Sequence, residues 1–205
     1  MTLTAEQVVS ITESLRDDAI VVFTMGAMNE YDKLPTNDLN VACVPLMGGA
    51  ASLGLGLALS SPGRKVIVLD GDASLLMELG GLVSVATAAP ENFIHIVLNN
   101  GVQFAGLGNL RTPGAASVDF EAVAHAAGYR SAARCSTAEA FKQEMSERLA
   151  QPGPHFIEAT TEYSDAVLGR KIASVEMTDH RFSRMGDELR RIRGALMNRV
   201  QKGYR

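Results

Sequence analysis

Residues 64–104 read RKVIVLDGDASLLMELGGLVSVATAAPENFIHIVLNNGVQF, and this stretch decides the fold. Lys65 to Leu69 opens an apolar, β-branched run that ends in Asp70-Gly71-Asp72-Ala73-Ser74. Leu75, Leu76, Leu79, Leu82 and Val83 then recur near the spacing of a helix. Phe93 to Leu98 is a second apolar run, ending in Asn99-Asn100-Gly101. Strand, helix, strand with uncharged strands predicts a right-handed parallel βαβ unit buried on both faces. The polar residues gather where the strands end, which is where open α/β sheets bind ligands.

The chemistry at those ends is rich in oxygen. Asp72 offers a hard carboxylate, Asn100 an amide oxygen, and Val102 a backbone carbonyl two residues on. A small set of oxygen ligands suits Mg²⁺, which keeps waters and is completed by phosphate oxygens. Gly71 lets the backbone approach closely, and the N–H groups of Ala73 and Ser74 open a predicted helix whose positive end favours a phosphate. A diphosphate bridged by Mg²⁺ fits these residues. Taken singly, Gly-Asp and Asn-Asn-Gly also read as plain turns.

Together the residues resemble the thiamine diphosphate enzymes, whose cofactor-binding half carries Gly-Asp-Gly/Ala, a spacer and then Asn-Asn. Here the pairs are Gly71-Asp72-Ala73 and Asn99-Asn100, with Asn100 standing 28 positions after Asp72. The family places a large apolar side chain under the cofactor. Met47, 25 positions before Asp72, occupies that place in Leu46-Met47-Gly48-Gly49-Ala50-Ala51. Pro45 stands where relatives often carry glycine to present a carbonyl to the aminopyrimidine, and proline keeps that carbonyl. The resemblance covers roughly residues 20–160. It implies an α/β fold in three layers, a parallel sheet with helices on both faces. It also implies thiamine diphosphate and Mg²⁺ as cofactors, with the metal on Asp72, Asn100 and the Val102 carbonyl. Gly26, Asn29, Pro45, Met47, Gly71, Ala73 and Ser74 would then surround the cofactor.

The wedge segment Met47-Gly48-Gly49-Ala50-Ala51-Ser52 and Asn99-Asn100-Gly101-Val102 look like the corresponding parts of phosphonopyruvate decarboxylases. The smaller chain of the two-chain sulfopyruvate decarboxylases is similar in size and binds the diphosphate. The resemblance thus implies a lyase that releases CO₂ from a small anionic 2-oxoacid and leaves an aldehyde. Acetolactate-synthase-like carboligation is equally compatible with Gly71-Asp72-Ala73-Ser74, and a scaffold that keeps the fold without turnover is an alternative of another class. In the family, the glutamate that activates the aminopyrimidine comes from a separate pyrimidine-binding (PYR-type) domain. A chain carrying only the diphosphate motifs is therefore expected to share its active site with a partner chain in a hetero-oligomer. No catalytic residue is assigned to this one.

The remaining sequence is that of an ordinary globular chain. Its 205 residues suffice for a sizeable core, 46% are hydrophobic and 20% charged, and the net charge of −4 gives no reason to expect nucleic acid. Cys43 and Cys135 form no C-x-x-C or metal spacing, which suits reduced thiols in a cytoplasmic protein, and no secretory signal pattern opens the chain. Val41 to Ser60 is uncharged and about long enough to span a bilayer. Its Pro45, Gly48, Gly49, Gly54 and Gly56 read instead as a wedge loop and a closely packed helix, so no membrane span is expected.

Thr4 and Gln7 form a capping-box pattern before Val8, Ile11 and Leu15, and Ala19 to Phe23 reads as a buried strand. Thr24 to Asn29 reads as a turn. There Gly26 and Asn29 are candidate diphosphate contacts by resemblance, although a bare turn is an equal reading. Tyr31 to Asn40 reads as a loop. Gly101 to Gly114 is glycine-rich and corresponds to an active-site loop in relatives. Gln103 and Arg111 are its candidates for an anionic substrate, and Arg111 reads equally well as a solvated loop residue. Asp119 caps a helix closed by Gly128, Ser136 with Glu139 suggests another capping box, and Phe141, Met145 and Leu149 make a core stripe. His155 to Thr160 reads as the last strand, and His95, His125, His155 and His180 are too dispersed for a triad or a zinc site.

The resemblance implies a cofactor-binding domain over 1–165, followed by an extension over 166–205 in which the composition shifts from about Arg181. Residues 181–205 hold eight Arg and Lys against Asp187 and Glu188. Phe182, Met185, Leu189, Ile192 and Leu196 recur on one face of this basic amphipathic helix. A nucleic acid or an anionic membrane could attract such a helix, but docking on an acidic surface of its own assembly is the favoured reading.

Overall fold

The apolar runs lie side by side in one parallel sheet. The structure, a computed structural model, describes residues 2–44, 46–167 and 182–202, with side chains to 197 in the last segment. Pro45, His180, Arg181, Arg205 and the side chains of Arg199 and Lys202 fall outside the described residues.

Six strands form the sheet: β1 (Ile20–Phe23), β2 (Asn40–Ala42), β3 (Val66–Gly71), β4 (Phe93–Asn99), β7 (Ser131–Cys135) and β8 (His155–Thr160). Their order is β2-β1-β3-β4-β8-β7, every pair parallel. Alternate side chains point to opposite faces of a strand, so each run feeds two cores. Val21, Phe23, Ile67, Leu69, Ile94, Ile96 and Ile157 pack under α1 (Ala5–Leu15), α2 (Met25–Tyr31) and α7 (Ala138–Ala150). Ile20, Val22, Val66, Val68, Val97 and Phe156 pack under α3 (Ala50–Ser60), α4 (Asp72–Met77), α5 (Gly81–Ala88) and α6 (Phe120–Ala127). The result is the expected three-layer α/β fold. Among the described residues no helix is long and apolar enough to cross a membrane.

Several local expectations need correction. The single helix read from Leu75 to Val83 is two helices, α4 and α5, broken at Glu78–Gly80, and this leaves Met77, Leu79 and Val83 exposed. Thr24 to Asn29 is no turn: the N–H groups of Ala27 and Met28 both donate to the Thr24 carbonyl and start α2. The loop after it ends earlier than expected, because Asn40 begins β2. The third strand runs past Leu69, where Asp70 pairs with Val97 and Gly71 with Leu98. Thr137 rather than Ser136 caps α7: its hydroxyl accepts the Ala140 N–H at 3.2 Å, while the Ser136 carbonyl accepts the Leu3 N–H. The strand over 131–135 was hidden by its alanines, and a two-stranded ribbon of β5 (Val102–Gln103) and β6 (Leu110–Arg111) lies within the glycine-rich loop. The Thr4–Gln7 capping box is present in both directions, and both cysteines are free and buried.

The C-terminal helix, α8 (Met185–Lys202), packs against the edge strand β2, where Ile192 is buried among Val41, Cys43 and Val22. Basic residues at its start and along it meet carboxylates of this same chain. Arg184 pairs with Asp32 at 2.5 Å, and Arg191 lies 4.0 Å from Asp38.

Two residues give tests of this packing. Gly54 on α3 lies so close to the sheet that a Cβ there would stand 2.3 Å from Val68 Cγ2 and 3.1 Å from Phe93 Cε2. Gly54→Ala should therefore lower stability by about 1–3 kcal/mol in chemical denaturation, despite alanine's better helix propensity. At the start of β8, burial pushes the His155 imidazole down to about 4, and its Nδ1 lies 2.7 Å from the Ser131 hydroxyl. The folded state keeps this ring neutral where the unfolded chain would protonate it, near pH 6.5. Its contribution is thus complete above about pH 6.5 and is lost as pH falls toward 4, and His155→Gln should flatten the stability–pH slope in that window.

Candidate functional site

The carboxyl ends of β1, β3, β4 and β8 open into one cavity of about 130 Å³. Its walls include Gly26 and Asn29 from α2, Met47 from the loop after β2, and Gly71, Asp72, Ala73 and Ser74 at the β3–α4 junction. Asn100, Val102 and Gln103 close the side beyond β4. Every residue named from the sequence for the cofactor is therefore gathered here, apart from Pro45, which lies outside the described residues. Arg111 is exposed on β6 and is not among the lining residues.

Asp72 dominates the electrostatics. It is 3% exposed, and among the described residues no cation pairs with its carboxylate. The Gly101 N–H donates to its Oδ2 at 3.0 Å. Burial pushes its carboxyl above the ordinary range, against the pull of the neighbouring Ala73 and Gly101 N–H groups. A buried carboxylate with donors but no counter-charge is a place for a cation. Asn100 Oδ1 accepts the Val102 N–H at 3.0 Å, and an amide oxygen has a second lone pair to offer. Among the described residues no three His, Cys, Asp or Glu side chains cluster as a metal site, so a cation here would rest on one carboxylate and neutral oxygens. That donor set fits Mg²⁺ completed by phosphate oxygens.

The frame around Asp72 is tightly fixed. Ser74 Oγ accepts the Gly48 N–H at 2.9 Å, tying the Met47 loop to the start of α4. Gly48 has a φ of +88°, and a Cβ on it would meet Glu78 Cβ at 2.9 Å, so the loop can sit this close only with glycine there. Beside Asn100, the Asn99 amide donates to Glu158 at 2.8 Å, and Glu158 is held in turn by Arg134 at 3.0 Å. α4 has only six residues, so the anion-favouring end expected of a long helix is reduced to its first-turn N–H groups.

Some of the surroundings were not foreseen. Thr24 and Thr161 line the cavity, and the buried Thr161 hydroxyl has no hydrogen-bond partner among the described residues. Beneath the site, Asp70 Oδ2 lies 3.4 Å from His95 Nε2, and His95 Nδ1 lies 3.3 Å from the Tyr129 hydroxyl. Burial and the Asp70 charge push the Tyr129 phenol well up, and the same two causes take the Cys43 thiol to about 11. Asp70 reads as a turn residue in sequence; only the extra length of β3 turns it inward. Its signal was the histidine at the paired strand's centre, a polar residue in an otherwise apolar run.

Comparison with known proteins matches this geometry. Residues 23–159 match the family described as thiamine pyrophosphate enzyme, C-terminal TPP binding domain. The phosphonopyruvate decarboxylase of Streptomyces viridochromogenes is 41% identical over 147 residues, covering 72% of this chain and 36% of the relative. The sulfopyruvate decarboxylase subunit beta of Methanothermobacter thermautotrophicus is 38% identical over 124 residues, covering 60% of this chain and 65% of the relative. The chain thus spans from about a third to just under two thirds of these relatives' length. Among solved structures, the thiamine diphosphate-dependent 4-hydroxybenzoylformate decarboxylase of Rhodococcus jostii RHA1 superposes with a TM-score of 0.68 at 26% identity, covering 80% of this chain and 33% of that one. With the match extending across the sheet and the Asp72 cavity, the chain belongs to the thiamine pyrophosphate enzymes, as a C-terminal TPP binding domain.

Proposed function

We propose that this chain is the diphosphate-binding subunit of a two-chain thiamine diphosphate-dependent decarboxylase acting on a small anionic 2-oxoacid. The observation that carries the reading is Asp72, a buried carboxylate without a counter-cation among the described residues, facing the same cavity as Asn100 and Val102. In this reading Asp72, Asn100 and the Val102 carbonyl hold Mg²⁺, and the metal takes the cofactor's diphosphate beside Gly26, Asn29, Gly71, Ala73 and Ser74. Met47 supports the cofactor from below, and Pro45 presents its carbonyl. When bound, the cofactor supplies the electron sink for loss of CO₂. The protein's part is to orient it, hold the metal and exclude water.

Relatives named as decarboxylases, one of them a beta subunit, favour a partner chain with a pyrimidine-binding domain that brings the activating glutamate. Two features of this chain agree. Leu46, Met47, Met77, Leu79 and Val83 are 37–55% exposed, and Gly48 brings the Met47 loop against Met77, so these side chains form an apolar rim with little to cover it. The residues lining the cavity include no Lys or Arg, so a cation for an anionic substrate is expected from the partner or from the Arg111 segment. Gln103 and the Thr161 hydroxyl, unpartnered among the described residues, are two of the chain's own polar groups there.

Calorimetry tests the metal assignment. Thiamine diphosphate with Mg²⁺ should bind the co-expressed pair, and Asp72→Asn should weaken that binding by at least about 100-fold. The same substitution should leave the melting temperature of the unliganded chain unchanged or raised, because it removes an unpaired buried charge. Unaltered Mg²⁺-dependent affinity in Asp72→Asn would reject the assignment. CO₂ release from 3-sulfo- and 3-phosphono-substituted pyruvates should require both chains, and turnover by this chain alone would reject the shared site.

A further inference from the structure

Arg190, Arg191 and Arg193 of α8 are exposed, but the turn that opens the helix, from Arg184 to Glu188, is spent on two walls of the cavity. β2 is the sheet's edge strand, and its outward Ala42 N–H has no strand to pair with. Glu188 Oε2 accepts that N–H at 2.7 Å, although residues 42 and 188 are far apart in sequence, and Glu188 is buried. One turn earlier, Arg184 places Nε 3.3 Å from Glu188 Oε1 and Nη1 2.5 Å from Asp32, the residue that ends α2. Its guanidinium also lies over the Phe23 ring, 5.5 Å from the centroid, and Phe23 stacks on Tyr31 of α2 at 4.2 Å. Downstream of Ala42, the buried Cys43 and Val44 lead into the loop that carries Met47. Upstream of Asp32, α2 carries Gly26, Met28 and Asn29 into the cavity.

We infer that Arg184 and Glu188 are positioning residues: together they clamp the end of α2 to the edge strand β2, and so set the separation of the α2 wall from the Met47 loop. The clamp belongs to this chain and acts without touching any ligand. Its consequence is reciprocal, since a ligand that needs both walls in place must also tighten the docking of α8. The affinity part of this inference rests on the proposed thiamine diphosphate site; the geometric part does not.

The test uses the full chain, alone and with its partner. In deuterium exchange of the unliganded chain, Glu188→Ala should speed exchange across residues 42–49 by about tenfold, the scale of a lost hydrogen bond to a charged acceptor, and leave 120–127 unchanged. Glu188→Gln keeps an acceptor for the Ala42 N–H and should restore most of the protection. Asp187→Ala, which removes an exposed carboxylate paired among the described residues only with Arg190 on the same helix, should have no effect. With the partner present, Glu188→Ala should weaken Mg²⁺-thiamine diphosphate binding by about tenfold, with Glu188→Gln close to wild type. Should Glu188→Ala fail to fold, Arg184→Ala reads the same clamp through exchange across 25–32. Wild-type exchange at 42–49 in Glu188→Ala, or an equal loss in Asp187→Ala, would overturn the inference. A wild-type pair that binds no thiamine diphosphate would count against the proposed function, while the exchange result would still decide the clamp.

Discussion

A carboxylate that loses its water must find donors, a cation or a proton. Asp72 finds the Gly101 N–H, and no cation among the described residues. β3 delivers the carboxylate at the sheet's carboxyl edge, and Gly101 turns its N–H onto it from the end of β4. The parallel sheet makes this possible. With both faces sealed by helices, the ends of the strands are the remaining place where polar groups can converge without crossing the core.

The rest of the site consists of restraints on that arrangement. Ser74, itself a wall residue, fixes the Met47 loop through Gly48, and Glu158 fixes Asn99, reaching the cavity through a neighbour rather than by contact. Each restraint spans two elements distant in sequence, so the cavity's shape is a property of the whole fold. A loop carrying the same motif on another scaffold would have the residues and not the spacing.

Much of this was legible in the sequence, for a physical reason. Long apolar runs ending in Asp, Asn and Gly mark buried strands and their exits, and residues 66–71 and 93–99 follow that reading closely. The Met47, Asp72 and Asn100 positions were found from spacing and resemblance, and the fold brings them to one cavity. What escaped was whatever depends on tertiary partners. The Leu75–Val83 periodicity promised one helix, but Glu78–Gly80 interrupts it, leaving apolar side chains pointing outward. The alanine-rich β7 has little local preference and is a strand because β8 lies beside it. Asp70 and Tyr129 stand 25 and 34 positions from His95 on either side of it, and only the pairing of β3 with β4 and the return after α6 make the three neighbours. The basic C-terminal stretch showed its charge and its apolar stripe, but not that Glu188, one of its two acids, would be the buried one.

The covered edge of β2 has a meaning for solubility as well. A parallel sheet has two open margins, and a row of unpaired N–H and C=O groups on either is a template for another chain's strand. On the β7 margin the strand is short and carries the charged Arg134, which discourages such pairing. On the β2 margin the protection is the helix itself, with a carboxylate occupying the amide that an incoming strand would seek. A chain shortened before α8 would expose Val41 and Ala42 as an adhesive edge beside an apolar strip that Ile192 no longer fills. The C-terminal helix is thus also what keeps one copy of this sheet from continuing into the next.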